Sequence, residues 1–185
     1  MSTPPPLAGH GAATRRLHEM LRVDHAGELG AVHIYRGQKA VFGQARGGET
    51  MAADMAEHEA GEQVHLSAFD AILTRRGVRP TVFAPLWRAA GFALGAGTAL
   101  MGEKAAHACT EAVESVIEEH YAEQIADLSE REPELAAELA RFRDDELEHR
   151  DHALAHGARE APGYPVLSAV IKAGCRAAIR ISEKL

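Results

Sequence analysis

Four glutamates in this chain stand where helical periodicity reserves the position for an apolar side chain. At about 100° per residue, Glu62 falls in the middle of the stripe Met51, Met55, His58, Leu66, Phe69 and Leu73, and Glu146 falls among Leu135, Leu139, Phe142 and Ala153. Glu28 lies on the stripe Leu17, Leu21, Val32 and Tyr35, and Glu114 on Thr110, Ile117, Tyr121, Ile125 and Leu128. An ionised carboxylate inside a core is costly enough that it changes its protonation or finds a cation. Four of them in one chain need partners.

The periodicity and its proline and glycine breaks predict helices over roughly 14–45, 50–76, 98–129, 133–156 and 164–183, and no strand. With 5% aromatic residues the composition is poor in strand formers, and 185 residues at 46% hydrophobic suffice for one core. Pro133 suits a helix first turn, so the helices on either side of residues 129–133 are antiparallel neighbours, as are those joined near Gly47 and Gly48. Residues 77–97 carry Pro80 and Pro85 among Val82, Phe83, Leu86, Trp87, Phe92 and Leu94, and read as an apolar crossover between two helix pairs. Residues 1–13, with prolines at 4, 5 and 6, read as a disordered tail before one domain over 14–185. The net charge of -7 gives no basic surface for nucleic acid. Cys109 and Cys175 match neither a disulfide framework nor a thiolate zinc site and read as small buried hydrophobes. The longest uncharged apolar stretch, Ala89 to Gly102, falls short of the ~20 residues that a membrane span needs.

Two of the inward glutamates open a Glu-x-x-His pair, Glu62 with His65 and Glu146 with His149, a spacing that puts both side chains on one helix face. About one such pair is expected by chance in a chain this rich in Glu and His, so the weight lies in the faces they occupy. No lysine or arginine sits at the centre of the four stripes, and bound cations are the simplest neutraliser for four carboxylates and two imidazoles. Glu28 precedes Glu62 by nearly the interval at which Glu114 precedes Glu146, as expected for two helix pairs around a pseudo-two-fold axis. One Glu from each of two helices plus Glu-x-x-His from the other two is the ligand pattern of carboxylate-bridged di-iron bundles. The ligand types suit iron or manganese, iron being favoured for oxygen chemistry, and zinc shares them. Glu59 is a rival to Glu62, although no His follows it at three residues. Asp145 is a candidate acceptor for a ligand imidazole. Tyr35 and Tyr121 are candidates to donate to a ligand or touch substrate, whereas Glu57, Glu118, Glu119, Glu148 and His152 read as solvated positions.

In the last helical window Leu167, Val170, Ile171, Gly174, Ala178 and Ile181 form one face, with Lys172, Arg176 and Arg180 opposite. This amphipathic helix suits a membrane surface, and with the apolar crossover it suits a greasy mouth for a lipid-like substrate.

The runs Arg22-Val23-Asp24-His25-Ala26-Gly27-Glu28, Ile34-Tyr35-x-Gly37-Gln38, Ala108-Cys109-Thr110, His120-Tyr121, Asp145-Glu146-Leu147-Glu148-His149 and Ala173-Gly174-Cys175-Arg176, with Glu114, resemble the 5-demethoxyubiquinol hydroxylase family from about residue 14 to the end. The resemblance implies an all-α, ferritin-like four-helix bundle with two iron ions, a crossover segment and a C-terminal amphipathic helix. It implies an O2-dependent monooxygenase that hydroxylates the ring of a polyprenyl methoxy-methyl-benzoquinol, giving demethylubiquinol in ubiquinone biosynthesis. Carried over by motif, the ligands are Glu28, Glu62, His65, Glu114, Glu146 and His149. Glu62 and Glu146 bridge the ions, Glu28 and His65 complete one site, and Glu114 and His149 the other. His120 and Tyr121 are candidates to hydrogen-bond substrate. A peripheral place on the cytoplasmic face of a bacterial membrane, or the matrix face in a mitochondrion, is implied, with a lipid-binding accessory protein of the pathway as a partner. Two other readings use the same residues differently: a ferritin-like ferroxidase or peroxidase, and a metal-free adaptor that docks on membranes and binds polyprenyl lipids.

Overall fold

The structure, a computed structural model, describes residues 10–184. Six α-helices form, and no strand occurs among the described residues: α1 (His10–Phe42), α2 (Glu49–Arg76), α3 (Ala84–Leu100), α4 (Glu103–Leu128), α5 (Pro133–Ala155) and α6 (Tyr164–Lys184). α1 and α2 pack as one antiparallel hairpin and α4 and α5 as another. The hairpins close on each other through aromatic layers: Phe69 of α2 meets Phe142 of α5 at 5.6 Å and stacks parallel to Tyr121 of α4 at 6.4 Å between ring centres. Met20, Leu21, Ile72, Leu128 and Leu139 fill the core around them.

Three expectations fail here. The crossover is largely a helix, α3, packed against α1. A Cβ on Gly95 would lie 2.0 Å from the Ile34 carbonyl oxygen, one on Gly91 2.7 Å from that of Gly30, and one on Gly37 2.3 Å from that of Phe92. Read locally, these glycines are helix breakers; in the fold they let two helix backbones approach closely, and that contact supports the helix. α3 ends at Leu100, and Gly102 at φ 108° turns the chain into α4, so the single window from 98 becomes a helix end, a turn and a helix start. α1 already begins at His10, inside the segment expected to be loose; the rest of that segment lies outside the described residues.

α6 lies along α4 and α1, fastened by Glu111. This buried carboxylate accepts from Lys172 Nζ at 2.9 Å, Tyr164 Oη at 3.0 Å and Ser168 Oγ at 3.2 Å. The basic residues of α6 thus partly serve the bundle, Arg176 also pairing with Glu119, while Val166 and Val170 are 70% and 65% exposed. Trp87 Nε1 donates to Ser182 Oγ at 3.1 Å and ties α3 to α6. Cys109 and Cys175 are free thiols.

Candidate metal centre

Each bundle helix sends its inward acid to the same place. Glu28 of α1, Glu62 of α2, Glu114 of α4 and Glu146 of α5 are all buried, with His65 and His149 one helical turn beyond the two acids on α2 and α5. His65 Nδ1 lies 3.2 Å from Glu146, 3.5 Å from Glu28 and 3.7 Å from Glu62. His149 Nδ1 lies 3.0 Å from Glu62 and 3.5 Å from Glu146. Potential ligand atoms fall into two groups, Glu28, Glu62, His65 and Glu146, and Glu62, Glu114, Glu146 and His149, each within 4.8 Å of one another. Glu62 and Glu146 belong to both.

The electrostatics describe a site short of positive charge. Burial, then mutual repulsion with Glu62 and Glu146, raises Glu28 well above the usual carboxylate range. Burial and the same two neighbours raise Glu114. Burial also presses upward on Glu62, but the imidazoles of His149 and His65 outweigh it and hold this acid at about 2. Against the same burial, Glu146 and Glu62 lift His149 to about 11, and Glu146, Glu28 and Glu62 lift His65 well above its ordinary range. Both oxygens of Glu62 and Glu146, one each of Glu28 and Glu114, and Nδ1 of both histidines are buried without a hydrogen-bond partner among the described residues. Orphaned lone pairs converging from six side chains fit bound divalent cations, whose charge would satisfy both the carboxylates and the imidazoles.

The surrounding groups orient these six. Tyr35 Oη of α1 donates to Glu114 Oε1 of α4 at 2.8 Å, and Tyr121 Oη of α4 donates to Glu28 of α1. The tyrosines thus cross between helices, each serving the acid of the opposite one, a pairing that helical spacing alone does not reveal. Asp145 Oδ2 lies 3.0 Å from His65 Nε2, so the imidazole turns Nδ1 inward. His120 stands apart from the cluster, with Nε2 2.7 Å from Gln124 Nε2, which donates to buried Asp24 at 2.7 Å. Glu59 is also elsewhere, held between Arg36 and Lys39. Those cations lower its pKa against the upward pull of burial and neutralise it locally. His152 is not the solvated residue that its position suggested: it is partly buried and 3.1 Å from Asp54.

Beside the cluster, α1, α3, α4 and α6 line an apolar cavity of about 360 Å³ that opens to the surface. Its walls include Gly27 and Val113, the chain neighbours of Glu28 and Glu114, together with Trp87, Leu94 and Ile171.

The sequence profile of ubiquinone biosynthesis protein COQ7 matches residues 15–182. The chain belongs to the COQ7 family. It is 50% identical over 179 residues to the 3-demethoxyubiquinol 3-hydroxylase of Rhodospirillum rubrum, covering 97% of this chain and 83% of that one. The human mitochondrial NADPH-dependent 3-demethoxyubiquinone 3-hydroxylase is 49% identical over 170 residues, 90% of this chain and 76% of its own. The mitochondrial 5-demethoxyubiquinone hydroxylase of Saccharomyces cerevisiae is 40% identical over 185 aligned positions, 91% of this chain and 78% of its own. In this COQ7 family member the match reaches from within α1 to within α6 and so includes part or all of every helix.

Proposed function

We propose that this chain is the ring hydroxylase of ubiquinone biosynthesis that its relatives' names describe, an O2-dependent di-iron monooxygenase acting on a polyprenyl demethoxyubiquinol. The observation that carries the reading is the convergence of Glu28, Glu62, His65, Glu114, Glu146 and His149 on one buried point beside an apolar cavity. Bound iron, supplied in its reduced form, would provide the reductive activation of dioxygen, two electrons and two protons accompanying the entry of one oxygen atom into the ring and the loss of the other as water. The protein's part is to hold and to exclude. Glu62 and Glu146 would be shared by the two ions, with Glu28 and His65 holding one and Glu114 and His149 the other, and Tyr35 and Tyr121 keep one oxygen each of Glu114 and Glu28 aimed by donating to the other. The cavity walls exclude water and orient the ring, and the apolar surfaces that rim them receive the prenyl tail.

Those surfaces also support a peripheral place on a membrane. Val82, Leu86, Leu100 and Met101, within and beside α3, and Val166 and Val170 on α6 are exposed, and no helix among the described residues is long and apolar enough to cross a bilayer. A cytoplasmic or matrix face, and a lipid-binding accessory protein that passes the substrate, belong to the same proposal.

The test is a single-turnover reaction. Iron-loaded, reduced protein mixed with a short-tailed demethoxyubiquinol and 18O2 yields a quinol carrying one labelled oxygen. Oxidation of ferrous iron with no labelled quinol, in the presence of an added reductant, returns the chain to the ferroxidase reading.

A further inference from the structure

One turn outward from the buried cluster, the same two helix faces carry a second set of metal-type ligands. On α2 the steps outward from Glu62 are His58 and Asp54; from Glu146 and His149 on α5 they are His152 and then His156, which caps the helix C-terminus. Asp54, His58 and His152 each present a ligand atom within 4.8 Å of the others. Asp54 Oδ1 lies 3.1 Å from His152 Nε2 and 3.8 Å from His58 Nε2. Two imidazoles and one carboxylate with open positions form a set suited to a divalent transition-metal ion, and a set without thiolate that is too sparse in oxygen for calcium.

The set connects in both directions. Inward, the His58 ring meets that of His149 edge to face with centres 4.6 Å apart, which puts the two groups about one helical turn, roughly 5 Å, from each other. Outward, the ring of His152 stacks on that of His156 at 4.1 Å, and His156 is exposed. Behind them His107 of α4 is buried, its ring 5.9 Å from that of His152, with Nδ1 lacking a partner among the described residues. Imidazole nitrogens thus line a path from the surface to His149, and the six bundle ligands leave all of them unused.

We propose that Asp54, His58 and His152 form a third cation site, which takes a divalent transition-metal ion from solvent and passes it to the buried centre. The site itself stands on its own ligands; the transfer rests on the buried cluster being a metal centre.

Full-length, metal-depleted protein is titrated with Co2+, and bound metal per chain is compared with that of the Asp54→Ala/His152→Ala variant. Both positions are partly exposed, and circular dichroism confirms that the variant is folded. The parent is expected to bind one more ion than the variant. Equal stoichiometry would mean that Asp54 and His152 form an ion pair only, and overturns the site. One ion in the parent and none in the variant keeps the outer site and instead removes the buried centre. With Co2+ below saturation, the visible absorbance of the buried ions is expected to grow severalfold more slowly in the variant and to reach the same end point. Equal rates overturn the transfer.

Discussion

Replacing Gly95 with alanine tests how the cavity is built. A Cβ there meets the Ile34 carbonyl oxygen at 2.0 Å and the Ile34 carbonyl carbon at 2.8 Å. Both belong to the backbone of α1, which cannot rotate away, so α3 must withdraw by at least about 1 Å to restore contact distance, an overpacking cost of about 1–3 kcal/mol. Alanine is the better helix former by about 1 kcal/mol, which offsets part of the strain and leaves the variant up to about 2 kcal/mol less stable. Gly97 is the internal control. It is exposed in the same helix, and its Cβ would meet open space, so Gly97→Ala gains about 0.5–1 kcal/mol. Urea unfolding reads the two signs. Because α3 walls the cavity and carries none of the six candidate ligands, Gly95→Ala is further expected to raise KM for the quinol while metal content stays unchanged. A Gly95→Ala protein as stable as Gly97→Ala would refute the close packing of α3 on α1.

Three other outcomes follow from the buried polar groups. Tyr35→Phe and Tyr121→Phe each strip the donor from a buried acid and are expected to cost about 1–3 kcal/mol in thermal or urea unfolding; parent-like stability in both would contradict the crossed pairing. In the metal-free protein Glu28 and Glu114 are raised, His149 stands at about 11 and His65 is raised too. Metal binding near neutral pH must therefore release protons and tighten as pH rises, seen as binding heats that vary with the ionisation enthalpy of the buffer; buffer-independent heats would count against it. Burial raises Asp24 from 3.8 to about 8 despite the bond from Gln124. Between those values the folded protein keeps a proton that the unfolded chain releases. Its contribution makes stability fall as pH rises from about 4 towards 8, and Asp24→Asn is expected to remove that slope from the urea midpoint, whereas an unchanged slope would place the titration elsewhere.

How much of this was legible in the sequence depends on the range of the interaction. The inward faces of α1, α2, α4 and α5 follow from periodicity within each helix, which is why Glu28, Glu62, Glu114 and Glu146 stand out before any fold is known. Glu62 is preferred to Glu59 in the sequence because His65 follows it at three residues, but what Glu59 does instead, pairing with Arg36 and Lys39 across the α1–α2 contact, was not legible there. α3 was hidden because Gly91 and Gly95 have the same local chemistry whether they break a helix or bring its backbone against another. The exchange of tyrosines between α1 and α4, and the meeting of Asp54 with His152, depend on distances between helices far apart in the chain. His58 was visible on its apolar stripe, but its approach to Asp54 and His152 was not.

Iron per chain on anaerobically purified protein, measured beside Glu146→Ala and followed by the mass of the product formed from demethoxyubiquinol and oxygen, tests the central claim most directly. The expected result is two irons retained in the buried centre and a product heavier by one oxygen atom, both lost when the shared ligand Glu146 is removed. Normal iron and product in Glu146→Ala would contradict the bridging role, and product formed by protein free of metal would contradict the metal centre itself.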